Sequence, residues 1–209
     1  MKKSKKIILI ITALLIVGAI AFIIIYKPTY QLNKAIQYLK YGEYKKAYEY
    51  IESKGNEENK IIIKELITQS FCDRIASGMD KCATISTECA KVITKTKKGN
   101  VDYTLDDDIN ISVKALDPYI ALENQISKDM ILSELSGTYD LYFKAIKYTR
   151  ENFYDVLNHI NDENFISDLE NLASDMVIIS NELNSVSDNY NYNPRSLDIY
   201  EKISKYIVK

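Results

Sequence analysis

Apolar and polar residues along this chain fall into two regimes. From Ile7 to Tyr26 the side chains are almost continuously apolar. The run is 20 residues long and carries no charge, and Thr12 is its only clearly polar side chain apart from the terminal tyrosine hydroxyl. At about 1.5 Å of rise per residue, a helix of that length spans roughly 30 Å, the thickness of a bilayer's hydrocarbon core. A helix pairs its own backbone groups, so lipid leaves none of them unsatisfied. Beyond Tyr26 the apolar positions recur every three or four residues, the period of amphipathic helices. No stretch alternates with the period of a strand. The expected fold class is all-α: an N-terminal transmembrane helix followed by a soluble domain of helical hairpins, packed as an irregular bundle or short solenoid.

The amino-terminal segment has competing readings. Ala19-Ile20-Ala21 has the small-x-small form of a signal-peptidase site behind a basic start. The apolar run continues five residues past Ala21, however, and exceeds the about 7–15 residues of a signal h-region. An uncleaved anchor is therefore expected, with Ile7, Leu14, Gly18, Phe22 and Tyr26 in the span. A lipid-modified cysteine is excluded because the first cysteine is Cys72, far beyond the run. Tyr26 and Tyr30 stand at the exit, where amphipathic rings favour the headgroup region. Lys2, Lys3, Lys5 and Lys6 precede the span and Lys27, Lys34 and Lys40 follow it more sparsely. The positive-inside bias then leaves residues 1–6 as a short cytoplasmic tail and puts the carboxy-terminal domain outside the cell membrane.

The periodic part divides into units. Pro28-Thr29 is expected to end the membrane helix at a short joint. Leu32, Ala35, Ile36 and Leu39 mark one short helix, and Tyr44, Ala47, Tyr48 and Ile51 a second, with Tyr41-Gly42-Glu43 as the turn. From Glu57 a long pattern follows through Ile63, Ile67, Phe71, Ile75, Met79, Cys82, Cys89 and Ile93. Gly78 and the run Thr84-Ile85-Ser86-Thr87 are where a bend is expected. Lys95 to Asn100 supplies basic residues and a Gly-Asn stop. The stretch to Leu105 reads as loop, with Asp106-Asp107-Asp108 at the next helix start. Asp117-Pro118 reads as a cap and first-turn proline, opening a helix through Leu122, Ile126, Met130 and Ser133 to Gly137. A further helix covers Thr138–Asn161, with Tyr142, Ile146, Phe153, Leu157 and Ile160 inward. The stripe Ile166, Leu169, Leu172, Met176, Ile179, Leu183 and Val186 has bundle-helix spacing and follows a short link, which implies antiparallel packing. Ser187–Asn193 reads as a polar loop, and Pro194 opens a last helix with Tyr200, Ile203 and Ile207 inward.

The stretch from Ala35 to Ile51 resembles one tetratricopeptide-type hairpin. Ala35 and Tyr38 stand where that family has its small residue and aromatic, Gly42 and Tyr44 form its Gly-x-Tyr turn, and Ala47 is the small residue where the helices touch. Gln31 replaces the family's bulky starting residue, and Asn59 its closing proline. The likeness implies a helical hairpin, within a unit running from residue 27 to 56, ahead of a bundle over residues 57–209. No second copy follows at the 34-residue period of that family. A lone unit cannot build the grooved array with which such repeats bind peptides.

Charge and composition narrow the function. The amino-terminal tail holds four of the 27 basic residues, which leaves 23 against 29 acidic ones, a net −6 outside the tail. That is a poor footprint for nucleic acid, whose affinity rests on phosphate neutralisation. With 6 Gly and 3 Pro the chain favours helix. Its richness in Ile, Lys, Asn and Tyr is of the kind found in bacterial proteins from AT-rich genomes. Cys72, Cys82 and Cys89 form no closed disulfide set. Two of them are seven residues apart on a helix, about 10 Å between Cα atoms, against the under about 7 Å that a disulfide needs.

Candidate chemistry is sparse. His159 is the only histidine, and its neighbours give no zinc-binding His-Glu-x-x-His. It is expected to cap carbonyls or sit in solvent at a helix end. No P-loop, Gly-x-Gly-x-x-Gly or Gly-x-Ser-x-Gly occurs. Asp106, Asp108 and Asn110 match the first positions of a calcium loop, but the required glycine falls on Ile111 and the closing glutamate on Asp117. Asn110-Ile111-Ser112 is a glycosylation sequon, without meaning in a bacterium. Most of the 17 tyrosines, Tyr44, Tyr48, Tyr142 and Tyr200 among them, fall on apolar helix faces. Tyr190 and Tyr192 are expected in a loop, as a contact surface. No cofactor, metal or catalytic residue is assigned. The expected partners are the bilayer through residues 7–26 and another protein, with no nucleic acid. The expected role is a non-enzymatic interaction, accessory or immunity-type component of the envelope. The alternatives are a sensory or ligand-binding ectodomain working through another membrane protein, and an envelope hydrolase without a recognisable motif.

Overall fold

A computed structural model describes Gly18, Ile20, Ile23 and residues 26–100 and 103–190, without the side chains of residues 180, 183, 184 and 186–190. Among the described residues the fold is all-helical and contains no strand. No helix among them is long and apolar enough to cross a membrane. Most of the 7–26 segment, and the last helix expected after Pro194, lie outside the described residues.

The first helix, α1, covers residues 26–40. It runs through Pro28, so the joint expected at Pro28-Thr29 is absent. A proline lacks the amide hydrogen of an interior helical residue but has a backbone angle that suits a helix. Its exposed side carries Tyr26, Lys27 and Tyr30, while Leu32, Ala35, Ile36 and Leu39 are buried. Gly42 then takes φ +71°, a conformation that costs glycine least. Its N–H bonds Leu39 O at 2.9 Å and the Glu43 N–H bonds Tyr38 O at 2.9 Å, satisfying the carbonyls that a helix end leaves open. The second helix, α2, is Tyr44–Lys54. Tyr38 meets Tyr50 edge-on at 5.9 Å, and the Lys34 ammonium lies 5.2 Å from the Tyr50 ring. The hairpin expected from the sequence is therefore present.

The third helix, α3 (Glu57–Lys97), organises the rest. Asn56 caps it by accepting the Asn59 N–H at 2.9 Å, with Glu57 and Glu58 in the first turn. It ends as the first helix does, with Gly99 at φ +82° and Asn100 N–H bonded to Lys95 O. From Leu66 to Cys72 every residue is buried, including Thr68, Gln69 and Ser70. Seven residues are about two turns, so this stretch has no solvent face. Beyond it the burial becomes one-sided, through Ile75, Gly78, Cys82, Ile85, Cys89 and Val92. That stripe steps by three and four residues, the rhythm of a helix seam.

The bend expected at Gly78 or Thr84–Thr87 does not occur, because α3 is one helix of 41 residues. The hydroxyls of Thr84, Ser86, Thr87 and Thr94 each bond a carbonyl four residues back, so they share helical acceptors without taking over a donor. Gly78 serves packing instead: a Cβ there would lie 2.5 Å from the Tyr142 hydroxyl and 3.2 Å from Tyr119.

The next helices pack around α3. Helix α4 (Tyr103–Lys114) starts earlier than the loop reading allowed, and the three aspartates lie inside it. Helix α5 (Asp117–Ile120) is a single turn in which Asp117 is the first residue and Leu116 the cap. Asp117 accepts Arg150 Nε at 2.6 Å rather than capping a helix. The long helix expected from there to Gly137 is replaced by three 3-10 turns, Ala121–Asn124, Lys128–Met130 and Ser133–Leu135. Tertiary partners claim the backbone groups a helix would need. The Ile126 carbonyl accepts the Tyr139 hydroxyl at 3.0 Å, and the Leu132 N–H donates to Thr68 Oγ1 at 2.9 Å. The irregular path turns Leu122, Ile126, Met130, Ile131 and Leu135 all inward.

Helix α6 (Ser136–Asn152) is also shorter than expected, and α7 (Val156–His159) follows as a separate turn. The break is at Phe153, whose fully buried ring lies between Tyr148 at 5.7 Å and Phe165 at 5.3 Å. The Asp106 carboxyl lies near the N–H groups of Val156 and Leu157 at the start of α7, which favour its charged form. Helix α8 (Glu163–Tyr190) packs on α6 and α3. Its inward residues begin with Phe165 rather than Ile166, and include Leu172 and Ile179 with Leu169 and Met176 at the margin. Leu183 and Val186 lie outside the described side chains. The helix also runs through Ser187 to Tyr190, correcting the expected loop, since no proline or glycine interrupts it before Pro194.

Gly78 lets α3 approach Tyr142 of α6 closely, and among the described residues the buried Tyr142 hydroxyl has no hydrogen-bond partner. Gly78→Ala should destabilise the protein by about 1–3 kcal/mol through overpacking. Tyr142→Phe, which removes an unsatisfied hydroxyl, should stay within about 1 kcal/mol of wild type or stabilise. The double variant should recover part of the Gly78→Ala loss in urea unfolding. Strictly additive losses would contradict this packing.

Candidate functional site

The described surface has a groove of about 320 Å³ between α6 and α8, lined by Lys144, Tyr148, Asp168, Asn171, Ser174 and Asp175 among others. Its polar groups belong to a regular arrangement. On α8 the carboxylates Asp168, Asp175 and Glu182 recur every seventh residue, about 10.5 Å per step on nearly one face. Each meets a partner from α6. The Tyr148 hydroxyl donates to Asp168, Lys144 Nζ lies 3.2 Å from Asp175 Oδ2, and the Thr138 hydroxyl donates to Glu182. The α6 partners descend as the α8 carboxylates ascend, so the ladder also sets the antiparallel register. Burial and then the Asp168 bond push the Tyr148 phenol well above its usual range. It is thus held protonated, as a donor. All three charged groups lining the groove are engaged by other lining groups.

The expected site residues are scattered. Ile7, Leu14 and Phe22 lie outside the described residues. Gly18 and Tyr26 are helical and exposed. Tyr190 closes α8 and is not in a loop, and Tyr192 lies outside the described residues. His159 ends α7, its ring stacked on Phe165 at 5.5 Å and its Nδ1 4.0 Å from Asp162. Its carbonyl accepts the Asp162 N–H. It is thus a packing and turn residue, with no nucleophile beside it in these contacts.

Asp106 and Asn110 belong to a helix, so the calcium-like spacing forms no loop. Burial, with Asp155 and Asp107 nearby, raises the Asp106 carboxyl above its ordinary range, while the N–H groups of Leu157 and Val156 pull it down. The three cysteines are free and buried. Burial pushes Cys72 up to about 12, Cys82 to about 11 and Cys89 to about 12. These thiols are poor nucleophiles, since reactivity needs the thiolate.

Apolar periodicity does not reveal the ladder, whose signal in the sequence is an acid at three successive seventh positions, 168, 175 and 182, of a helix that contains no basic residue. Its partners on α6 are spaced six and four apart and give no pattern by themselves. No protein-family model, curated protein or solved structure matches the chain.

Two measurements check this description. In the native protein none of the three thiols should react with an aromatic disulfide reagent at the rate of a free thiol, and all three should react after denaturation. Fast labelling of even one before unfolding would contradict the burial. The second concerns Asp106. Its folded pKa is raised, so its contribution to stability is fully present below the unfolded value of about 3.9 and is lost as pH rises through the folded value. Asp106→Asn should therefore raise the urea midpoint near neutral pH. That gain should shrink as pH falls, and a constant difference across the range would refute it.

Proposed function

We propose that this chain is a single-pass, membrane-anchored, non-enzymatic interaction protein of the bacterial envelope, of the accessory or immunity type. The observation that carries the reading is the passage from the uncharged 7–26 segment into α1. The helix covering residues 26–40 takes the chain from Tyr26 into the domain core without a loop, through Leu32, Ala35 and Ile36. A domain begun in this way is built next to its anchor. On this reading Lys2, Lys3, Lys5 and Lys6 hold the short tail in the cytoplasm, and residues 27–209 lie outside. The α1–α2 hairpin is then a single tetratricopeptide-like unit, which serves as one face for a protein partner.

The alternatives find less support. Lys144, Asp168 and Asp175, the charged groups of the α6–α8 groove, are paired among its own lining groups, which weakens the case for a small-ligand site. The same engagement leaves neither carboxylate poised as an acid or base for a hydrolase.

Two experiments test the proposal on the full-length protein. A reporter fused after Lys209 should be active outside the cytoplasm, and cytoplasmic activity would reverse the orientation. Capture from detergent-solubilised membranes should recover a specific protein partner whose binding is weakened by Tyr41→Asp, at the exposed turn of the α1–α2 hairpin, but kept in Lys144→Ala. Recovery of no partner under mild conditions would count against an interaction role.

A further inference from the structure

Three features meet at the end of the domain nearest Tyr26. The helix covering 26–40 is unbroken at Pro28, and Gly18, Ile20 and Ile23 before it are helical as well. The first turn of α3 is pinned to that helix, because Asn59, itself buried, donates its Nδ2 to the Pro28 carbonyl at 2.8 Å. The turn so placed ends in Ile61, which is 58% exposed, and Tyr26 and Tyr30 on α1 are exposed to a similar degree. An isolated exposed isoleucine is ordinary on a protein surface. Ile61 is two residues on from the pinned Asn59, on the side of α3 away from Pro28, and at about the level where the uncharged 20-residue segment ends its apolar side chain has a use.

The dimensions decide whether it reaches a bilayer. The interfacial zone adds roughly 5–8 Å to each side of the hydrocarbon core. Along a helix Pro28 is about 3 Å beyond Tyr26, and Ile61 about 3 Å beyond Asn59. If Tyr26 ends the span, the first turn of α3 falls within that zone.

We propose that this turn, with Ile61 at its edge, is seated in the headgroup layer beside Tyr26, Lys27 and Tyr30, so that the domain rests directly on the bilayer. The inference depends on the membrane-anchored reading above. The charge there selects the partner. Lys60 pairs with Glu57 at 2.8 Å and with Glu52 at 3.7 Å, and Glu58 is exposed, so the turn offers no surplus positive charge to anionic lipid. The surface therefore fits a zwitterionic headgroup layer, through amphipathic and apolar side chains.

The chain contains no tryptophan, so each substitution creates a single reporter. Full-length Tyr26→Trp, Tyr30→Trp, Ile61→Trp and Tyr154→Trp would be reconstituted in phosphatidylcholine vesicles with and without brominated acyl chains. Tyr154 serves as the distant control. It follows the end of α6, whose Tyr142 meets Gly78, 19 residues or about 28 Å along α3 from Asn59. Tyr26→Trp should lose most emission to bromine, Tyr30→Trp and Ile61→Trp a smaller part with a blue shift, and Tyr154→Trp none. Replacing part of the lipid by phosphatidylglycerol should leave the Ile61→Trp signal unchanged. If Tyr26→Trp is quenched while Ile61→Trp behaves like Tyr154→Trp, the seating is wrong and the anchor stands. If Tyr26→Trp is not quenched, the anchor reading itself falls.

Discussion

Burial of α3 on every side between Leu66 and Cys72 is the constraint on which the other elements depend. A helix enclosed through two full turns needs neighbours all round it. The first hairpin, the 3-10 segment and α6 all lie against α3 or its hairpin, and α4, α7 and α8 pack along its length. The enclosure also takes polar groups out of water. Thr68 answers this twice, by donating to the Lys64 carbonyl and accepting the Leu132 N–H. Gln69 does not, since neither end of its amide has a partner among the described residues. An unmet buried amide costs about 1–3 kcal/mol, so this position opposes the fold that surrounds it.

Where helices stop follows two different rules. The ends of α1 and α3 are local: glycine in the left-handed region and a return of two N–H groups to the last carbonyls. Such ends are legible in sequence, and both Gly42 and Gly99 were. The breaks beyond α5 and α6 are tertiary. Tyr139 takes the Ile126 carbonyl from 13 residues away, Thr68 takes the Leu132 N–H from 64 residues away, and Phe153 is held between Tyr148 and Phe165. No local pattern announces them. Continuous helices were therefore expected where the chain in fact breaks. The inward face is the same with or without the break, because Tyr142, Ile146, Phe153 and Ile160 are buried on both sides of it.

Gly78 and the Thr84–Thr87 run show the converse, a helix that continues where local preference favours a bend. Intrinsic propensity counts both as weak points of a helix. In α3 the threonine hydroxyls fold back on their own helix, and the missing side chain of Gly78 makes room for Tyr142. The α6–α8 groove was hidden for a related reason. Its carboxylates are periodic in sequence, but periodicity is usually searched for in apolar residues. The hydroxyl and ammonium partners are meaningful only once α6 lies alongside.

The seven-residue repeat of Asp168, Asp175 and Glu182 has a consequence for how α8 docks. Apolar side chains tolerate small displacements, since one contact replaces another of similar worth. A ladder of donors and carboxylates does not. If α8 slid by a single turn, about 5.4 Å, all three carboxylates would leave their partners together. The three hydrogen-bonded steps thus add a register to a helix without one basic residue, whose buried Phe165, Leu172 and Ile179 supply the apolar part of its docking.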